Sequence, residues 1–467
     1  MYFPFPPLKT ILLQVVLSAC LLSAGAQQLP VSCYLTTPDK SSLLSPSETR
    51  LAWSKGPAGG TAIRINPGKT FQEIDGFGYT MTGGSATLIN RLPAARKDSL
   101  LREMFSSAGI GISYLRISIG ASDLSASLFT YNELPEGQTD ETQARFSLRE
   151  EETDLIPVLK RIVAINPKIK ILGSPWTAPT WMKDNRSFKG GSLLKQYYSA
   201  YARYFVRYIQ GMKKAGITIH AITPQNEPLH PGNNPSMFMS AEDQAVFIRV
   251  LGPAFKKAGI RTKIIAYDHN ADRPDYPLTV LRDREANKWT YGSAFHLYAG
   301  KLSALSEVRN AFPDKHIYFT EQWVGGPGNF AEDLKWHVGT LLIGATRNWS
   351  RTVLEWNVAA DASYGPHTDK GGCTSCLGAL TIDGQTITRN VAWYVIGHAS
   401  KFVPPGSKRI DSDLLPGLPN VAFRTPAGKT VLIVMNTATA TQQFTAEESG
   451  RHFTASVPAG TAATFIW

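Results

Sequence analysis

From residue 74 onward, short apolar runs recur, each rich in Ile, Leu, Val, Phe or Tyr and each closing on polar or aromatic residues. They fall at 74–79, 112–117, 169–174, 217–223, 263–268, 293–298, 316–321 and 352–357. Between several of them lie stretches with the 3.6-residue apolar spacing of an amphipathic helix, notably 151–165, 193–215, 241–258 and 302–311. Ala-Gly at 108–109, 215–216 and 258–259, and Asn166-Pro167, punctuate the ends of helical stretches before the next run. Strand then helix, eight times over, predicts an α/β fold with parallel strands. Eight such units predict a closed (β/α)8 TIM barrel rather than an open sheet. The units share no sequence, so the repetition is architectural and not an internal duplication.

The flanks carry a different pattern. Residues 421–425 and 430–435 alternate like strands around a Pro-Ala-Gly turn, and β-rich runs continue to Trp467. The segment before the barrel also reads as short strands and turns, notably 61–65. The simplest account is an attached β-sandwich side domain built from N- and C-terminal segments. Two unrelated β appendages are the alternative. The expected partition is a signal peptide over 1–26, N-terminal strands of the sandwich over 27–70, the catalytic barrel over 71–402 and the C-terminal sandwich over 403–467.

Composition narrows the class. The chain has 467 residues, 43% hydrophobic and 18% charged, which excludes a wholly disordered or coiled-coil protein. The formal net charge is +11, but Lys and Arg are scattered, with no basic stripe of the kind that binds nucleic acid. No nucleic-acid partner and no obligatory protein partner are expected. The one long apolar run lies at the N-terminus. Lys9 is the only charge before Asp39; an apolar stretch follows at 11–22, then Ala24-Gly25-Ala26. That is the plan of an export signal cleaved after Ala26. Leu17-Ser18-Ala19-Cys20 also resembles a lipoprotein signal lipidated at Cys20, and a retained anchor is a third reading. Ordinary cleavage is preferred, because the apolar run continues past Cys20. The expected location is export: secreted, periplasmic or at the cell surface. The sequons at Asn185 and Asn348 matter only in a eukaryotic secretory host.

Four cysteines are present, at 20, 33, 373 and 376. Removal of the signal leaves an odd number, so no disulfide framework is implied. Cys373-Thr374-Ser375-Cys376 is open to a zinc half-site, a redox pair or a local loop bridge, with a structural loop feature favoured.

Two glutamates stand where the barrel plan places chemistry. Glu227 follows the end of the fourth run, in Thr223-Pro-Gln-Asn-Glu-Pro228, and Glu321 closes the seventh, about three βα units apart, so the two carboxylates are expected to face each other across the barrel mouth. Glycoside hydrolysis needs such a pair: one carboxyl protonates the leaving oxygen, and the other attacks or stabilises the anomeric carbon. Trp176, Trp181, Tyr298, Trp323 and Trp356 lie near strand ends and suit the apolar faces of a sugar. Taken singly, each of these residues is more often a surface carboxylate or a packing aromatic. Their joint placement carries the argument.

The ordered set of motifs resembles glycoside hydrolase family 30, the glucosylceramidase-like and endo-β-1,6-glucanase-like retaining β-glycosidases of clan A. The matching stretches are FQEIDGFG (71–78), LRISIG (115–120) with Asp123, SPWTAPTWMK (174–183), QNEP (225–228), DHN (268–270), FHLY (295–298), TE (320–321), EWN (355–357) and GHASKFVPPG (397–406). The resemblance implies that Glu227 is the acid/base and Glu321 the nucleophile of a double displacement. It implies that Asn226 bonds the sugar 2-hydroxyl, and that Asp123, Trp176 and Trp356 hold the outer hydroxyls and apolar face of the glucosyl unit. It sets His296 and Tyr298 beside the nucleophile and Arg116 under it as a supporting charge. Arg116 also has a plain structural reading as an ion pair. Glu227 is expected to carry a raised pKa, through burial and the nearby Glu321 charge. No cofactor and no metal is implied, and a metal at 268–270 is discounted because the retaining mechanism needs none.

The implied function is a retaining glycoside hydrolase of β-D-glucosyl linkages, glucosylceramidase-like. An endo-β-1,6-glucanase acting on microbial or fungal cell-wall glucan is the alternative within the class, and an inactive carbohydrate-binding protein the alternative outside it. Retention of both glutamates favours the enzyme. The stretch 229–239 (LHPGNNPSMFM) and His367 depart from the animal glucosylceramidases on the aglycone side. The expected partner is therefore a β-glucoside, glycolipid or β-glucan.

Overall fold

The computed structural model describes residues 1–5, 31–56 and 59–467. Residues 6–26 of the expected signal segment, Cys20 among them, lie outside these residues. Eight parallel strands close a barrel: β1 (Gly76–Met81), β2 (Tyr114–Ser118), β3 (Lys170–Ser174), β4 (Ala221–Ile222), β5 (Lys263–Ala271), β6 (Thr290–Gly300), β7 (His316–Glu321) and β8 (Ser350–Asn357). Their near-continuous burial is what a sheet covered on both faces requires. The helices packed outside include Leu155–Ile165, Tyr198–Lys214, Ala241–Lys257 and Ser303–Ala311, each turning an apolar stripe inward. The expected helix at 151–165 starts late because 149–151 forms a 3-10 turn.

The fourth strand is shorter than its sequence run. Ile217 N–H donates to Met212 O and closes the preceding helix, while Pro224 has no N–H to extend the ladder. The pairing thus narrows to Ala221 and Ile222.

Two irregularities at the top of the barrel matter for the site. Tyr267 pairs with Ala294 and His269 with Phe295, so Asp268 is an extra residue in β5. Phe295 pairs with Phe319 and His296 with Glu321, so Thr320 is extra in β7. Such bulges re-aim side chains, and both residues turn into the barrel mouth.

The flanking segments form one ten-stranded sheet that includes Ser32–Thr36 and Ala62–Glu73 with the strands from Lys408 to Ile466. Ser32–Thr36 pairs antiparallel with Ala462–Ile466, and Ala62–Glu73 lies between Lys408–Ser412 and Gln442–Glu448. The two ends of the chain therefore build one side domain. Cys33 is buried there as a free thiol, and burial pushes its pKa up to about 12. The helix Val391–Ser400 is buried along its length between barrel and side domain. On it, the His398 imidazole pairs with the hydroxyls of Thr464 and Thr36, each at 2.9 Å. A small sheet of Ala359–Ala360, Leu380–Asp383 and Thr386–Arg389, unsignalled in the sequence reading, brackets the loop after β8.

Candidate active site

The carboxyl ends of the strands open into a cavity of about 390 Å³. Asp123, Trp176, Glu227, Tyr298, Glu321 and Trp356 line it. Asn226, His296 and Arg116 stand behind this lining, each less than 5% exposed. The nine residues given site roles from the sequence thus converge on one place, whereas Trp181, also expected to face a sugar, packs against Tyr197 with its Nε1 donating to Asn132 O.

Glu227 lies past β4 with a left-handed backbone, φ 43°, in front of Pro228. Its N–H donates to Asp268 O at 2.9 Å, and Asn226 N–H donates to Pro175 O at 2.8 Å. These bonds anchor the turn to β5 and to the loop after β3. Such a backbone costs on the order of 1–3 kcal/mol in a non-glycine residue and persists only where its surroundings enforce it. Glu321 ends β7. One oxygen of Glu227, one of Glu321 and a ring nitrogen of His296 all lie within 4.8 Å of one another. Carboxylate oxygens this close fit a retaining pair, whose carboxyls stand about 5–5.5 Å apart.

Each carboxylate has fixed partners. Arg116 Nη1 donates to Glu321 Oε2 at 2.6 Å, and the Tyr298 hydroxyl donates to Oε1 at 2.9 Å. His296 Nδ1 sits 3.1 Å from Glu227 Oε1, and its Nε2 3.1 Å from Asp268 Oδ1. Asp268, absent from the residues chosen from sequence, is the hub beneath both. It accepts bonds from Arg116 (2.8 Å), Ser174 (2.6 Å), Thr223 (2.8 Å) and Thr320 (2.7 Å). Arg116 Nη2 also donates to Asn226 Oδ1 at 2.6 Å, tying the residue before the acid/base candidate to the nucleophile candidate. Arg116 thus makes buried ion pairs with both Asp268 and Glu321.

Charge is apportioned unevenly. Burial opposes the charged form of Asp268, but Arg116 and His296 hold it well below the usual carboxylate range. Burial alone would lower the His296 pKa; Glu321, Asp268 and Glu227 around it raise it to about 9. Burial also raises Glu227, yet the hydrogen bond and charge of His296 bring it below the ordinary value. That corrects the expectation of a raised Glu227: in the free site the proton resides on His296, 3.1 Å away. Glu321 is the carboxyl that stays raised, through burial and the Glu227 charge, against the pull of His296 and Arg116. The three groups exchange protons as one coupled unit.

Trp176 and Trp356 form the apolar wall, with ring centroids 5.5 Å apart at 32°. The Arg116 guanidinium stands 4.8 Å and 5.8 Å from their centroids. Asp123 is raised to about 7 by burial and by the Glu321 and Glu227 charges. Asp123 Oδ1 and Trp176 Nε1 are buried and have no hydrogen-bond partner among the described residues. Groups of this kind are suited to hydroxyls brought by a ligand.

Trp323, expected among the sugar-facing aromatics, also lines the cavity, as do His230, Asn233, His269 and Asn270, to which the sequence assigned no role. The departures noted at 229–239 pointed there. Cys373 and Cys376 line the cavity as well and are joined by a disulfide, which settles the open reading of that motif as a local bridge.

Residues 74–403 match the glycosyl hydrolase family 30 TIM-barrel domain, and residues 406–465 match the glycosyl hydrolase family 30 beta sandwich domain. The chain is 34% identical over 423 residues to the endo-1,6-beta-D-glucanase BGN16.3 of Trichoderma harzianum, covering 85% of this chain and 84% of that one. It is 30% identical over 438 residues to the lysosomal acid glucosylceramidase of Mus musculus, covering 87% and 84%. The solved structure of the endo-beta1,6-glucanase BT3312 superposes with a TM-score of 0.86 at 34% identity, over 94% of this chain and 99% of that one.

Proposed function

The chain belongs to glycosyl hydrolase family 30 and is a retaining O-glycosyl hydrolase, and we propose that it cleaves β-1,6-linked glucan, with Glu321 as nucleophile and Glu227 as acid/base. The observation that supports this substrate is the set of polar side chains that share the cavity with Glu227. His230, Asn233, His269 and Asn270 line that cavity together with Trp323. A hydrated sugar suits such a wall, whereas a ceramide would need an apolar one. The glucanase relatives point the same way.

In the proposed mechanism, Arg116 holds Glu321 Oε2, and Oε1, oriented by the Tyr298 hydroxyl, attacks the anomeric carbon. The proton held by His296 at 3.1 Å passes to Glu227, which delivers it to the glycosidic oxygen and is left as the carboxylate. The glucosyl-enzyme ester is then hydrolysed by water that Glu227 deprotonates, so the anomeric configuration is retained. Asn226, held by Arg116, meets the 2-hydroxyl, while Asp123, Trp176 and Trp356 hold the ring. We place the enzyme outside the cytoplasm; the Cys373–Cys376 disulfide supports an oxidising compartment. No helix among the described residues is long and apolar enough to cross a membrane.

The test offers linear β-1,6-glucan and glucosylceramide side by side and identifies products by mass spectrometry. Gentiobiose-series oligosaccharides from the glucan support the proposal. Glucose and ceramide from the lipid alone would reject it.

A further inference from the structure

Most of the cavity lining is taken up by the chemistry above, but the bridge of Cys373 and Cys376 is not. We propose that this disulfide is a positioning element of the glucosyl pocket: it fixes the wall that holds Trp176 and Trp356, and opening it weakens glucoside binding. The proposal rests on the reading of this cavity as the glucosyl-binding site.

Four observations carry it. The bridge stands in the cavity lining rather than at the outer surface of its loop. Cys376 is only 3% exposed and packs in one apolar cluster with Leu124, Trp176 and Trp356. Sulfur against an indole is a favourable contact that needs the two held in register. The segment that carries the bridge, 361–378, has no helix or strand of its own, yet it ties together other loops at the mouth. Thr368 N–H donates to Asp123 O at 2.9 Å, and Asn234 Nδ2 donates to Asp369 O at 2.9 Å. Gly326 N–H donates to Ser375 O at 2.7 Å, and Leu377 N–H to Val324 O at 3.0 Å.

The approach to Asp123 is close. A Cβ on Gly372 would stand 2.2 Å from Thr368 O and 2.9 Å from Asp123 O, so only glycine fits there. The residue beside Cys373 is thereby pressed against the backbone of the carboxyl that faces the sugar. A wall built from turns, without a ladder, keeps its shape through such ties. The covalent closure of 373–376 removes freedom that hydrogen bonds alone leave in a loop.

The chemistry of opening is simple. Cys373 is half-buried beside exposed Thr374, so one thiolate of dithiothreitol can attack its Sγ. The Cys376 thiolate leaves, and the second reductant thiol closes a cyclic disulfide. Two electrons and two protons pass to the cysteine pair.

The experiment compares the wild type with the Cys373→Ala/Cys376→Ala double variant, and with wild type reduced by dithiothreitol and then reoxidised with oxidised glutathione. KM and kcat are measured on 4-nitrophenyl β-D-glucoside, the inhibition constant on 1-deoxynojirimycin, and Tm by calorimetry. The expected result is that KM and the inhibition constant rise together by roughly fivefold or more, with kcat changed less than about threefold, and recover on reoxidation. A lower Tm with both constants unchanged would overturn the proposal and leave the bridge a stability feature only. A fall in kcat alone would also overturn it. If the double variant does not fold, the reduced wild type gives the same decision. A wild type that neither hydrolyses the glucoside nor binds the iminosugar would refute the pocket assignment itself, and the proposal with it.

Discussion

The two ends of the barrel are each built around a strand arginine and a buried aspartate, and they use the pair differently. At the amino end, Asp75 meets Arg351 through both of its oxygens, at 2.9 and 3.0 Å, Lys170 at 2.6 Å and the Tyr318 hydroxyl at 3.1 Å. Burial opposes its charge, but Arg351 and Lys170 bring its pKa below the ordinary value. Cations there are sufficient for the carboxylate. At the carboxyl end, Asp123, Glu227, Asp268 and Glu321 crowd around Arg116 and His296, with His269 and His230 near Glu227. Three residues there, Glu227, Tyr267 and Asp268, have left-handed backbones, with φ of 43°, 76° and 74°. One end is neutralised and so contributes stability. The other keeps a surplus of carboxylate, strain and unpartnered polar atoms, the state a reacting sugar can relieve.

Substitutions sharpen this contrast. Glu321→Gln is expected to lower kcat by at least about 10⁴-fold on every substrate while leaving Tm unchanged or higher. A marked loss of Tm would show that the carboxyl end is structural after all. Glu227→Ala should cost on the order of 10²–10⁴-fold on glucan but much less on a dinitrophenyl glucoside, whose leaving group needs no proton. Equal losses on both would remove its acid role. At the other end, Asp75→Asn should destabilise the fold by about 1–2 kcal/mol in urea titration, because it removes the buried charge shared by the half-buried Arg351 and Lys170. Turnover per folded molecule should stay within about twofold, and a larger fall would break the division between the ends.

Two pH effects are smaller. The kcat/KM profile should be bell-shaped. Its acid limb lies above the ordinary carboxylate value, from protonation of the raised Glu321, and its basic limb lies near 9, from loss of the His296 proton. In His296→Asn the basic limb should move. His398, buried between barrel and side domain, has its pKa lowered from 6.5 to about 3 by burial. The unfolded chain therefore binds the proton more readily. The contribution is complete above pH 6.5 and is lost as pH falls toward 3, by at most roughly 1.4 kcal/mol per unit. Urea titrations at two pH values should show a shallower decline in His398→Gln than in the wild type.

The sequence carried the barrel because its period is local: each run and each helical stripe repeats within a window of about 18 residues. The same runs displayed Glu227 and Glu321 at strand ends. Asp268 stood in the quoted 268–270 stretch, yet its role depends on a bulge that turns it inward and on hydroxyls from Ser174, Thr223 and Thr320. Partners from three other strands leave no trace in local spacing. The direction of the Glu227 shift failed for a similar reason. Burial and a neighbouring carboxylate were foreseeable, but the His296 nitrogen on its oxygen was not. The bridge of Cys373 and Cys376 was legible as a pair and illegible as part of the sugar pocket.

The central claim is that Glu321 takes the glucosyl group covalently while Glu227 moves the proton. Incubation with a 2-deoxy-2-fluoro-β-glucosyl fluoride, followed by proteolysis and mass spectrometry, tests it directly. The account predicts a single stable adduct on the peptide containing Glu321, and none in Glu321→Gln. A label on Glu227, or steady turnover to a product of inverted configuration with no adduct, would contradict it.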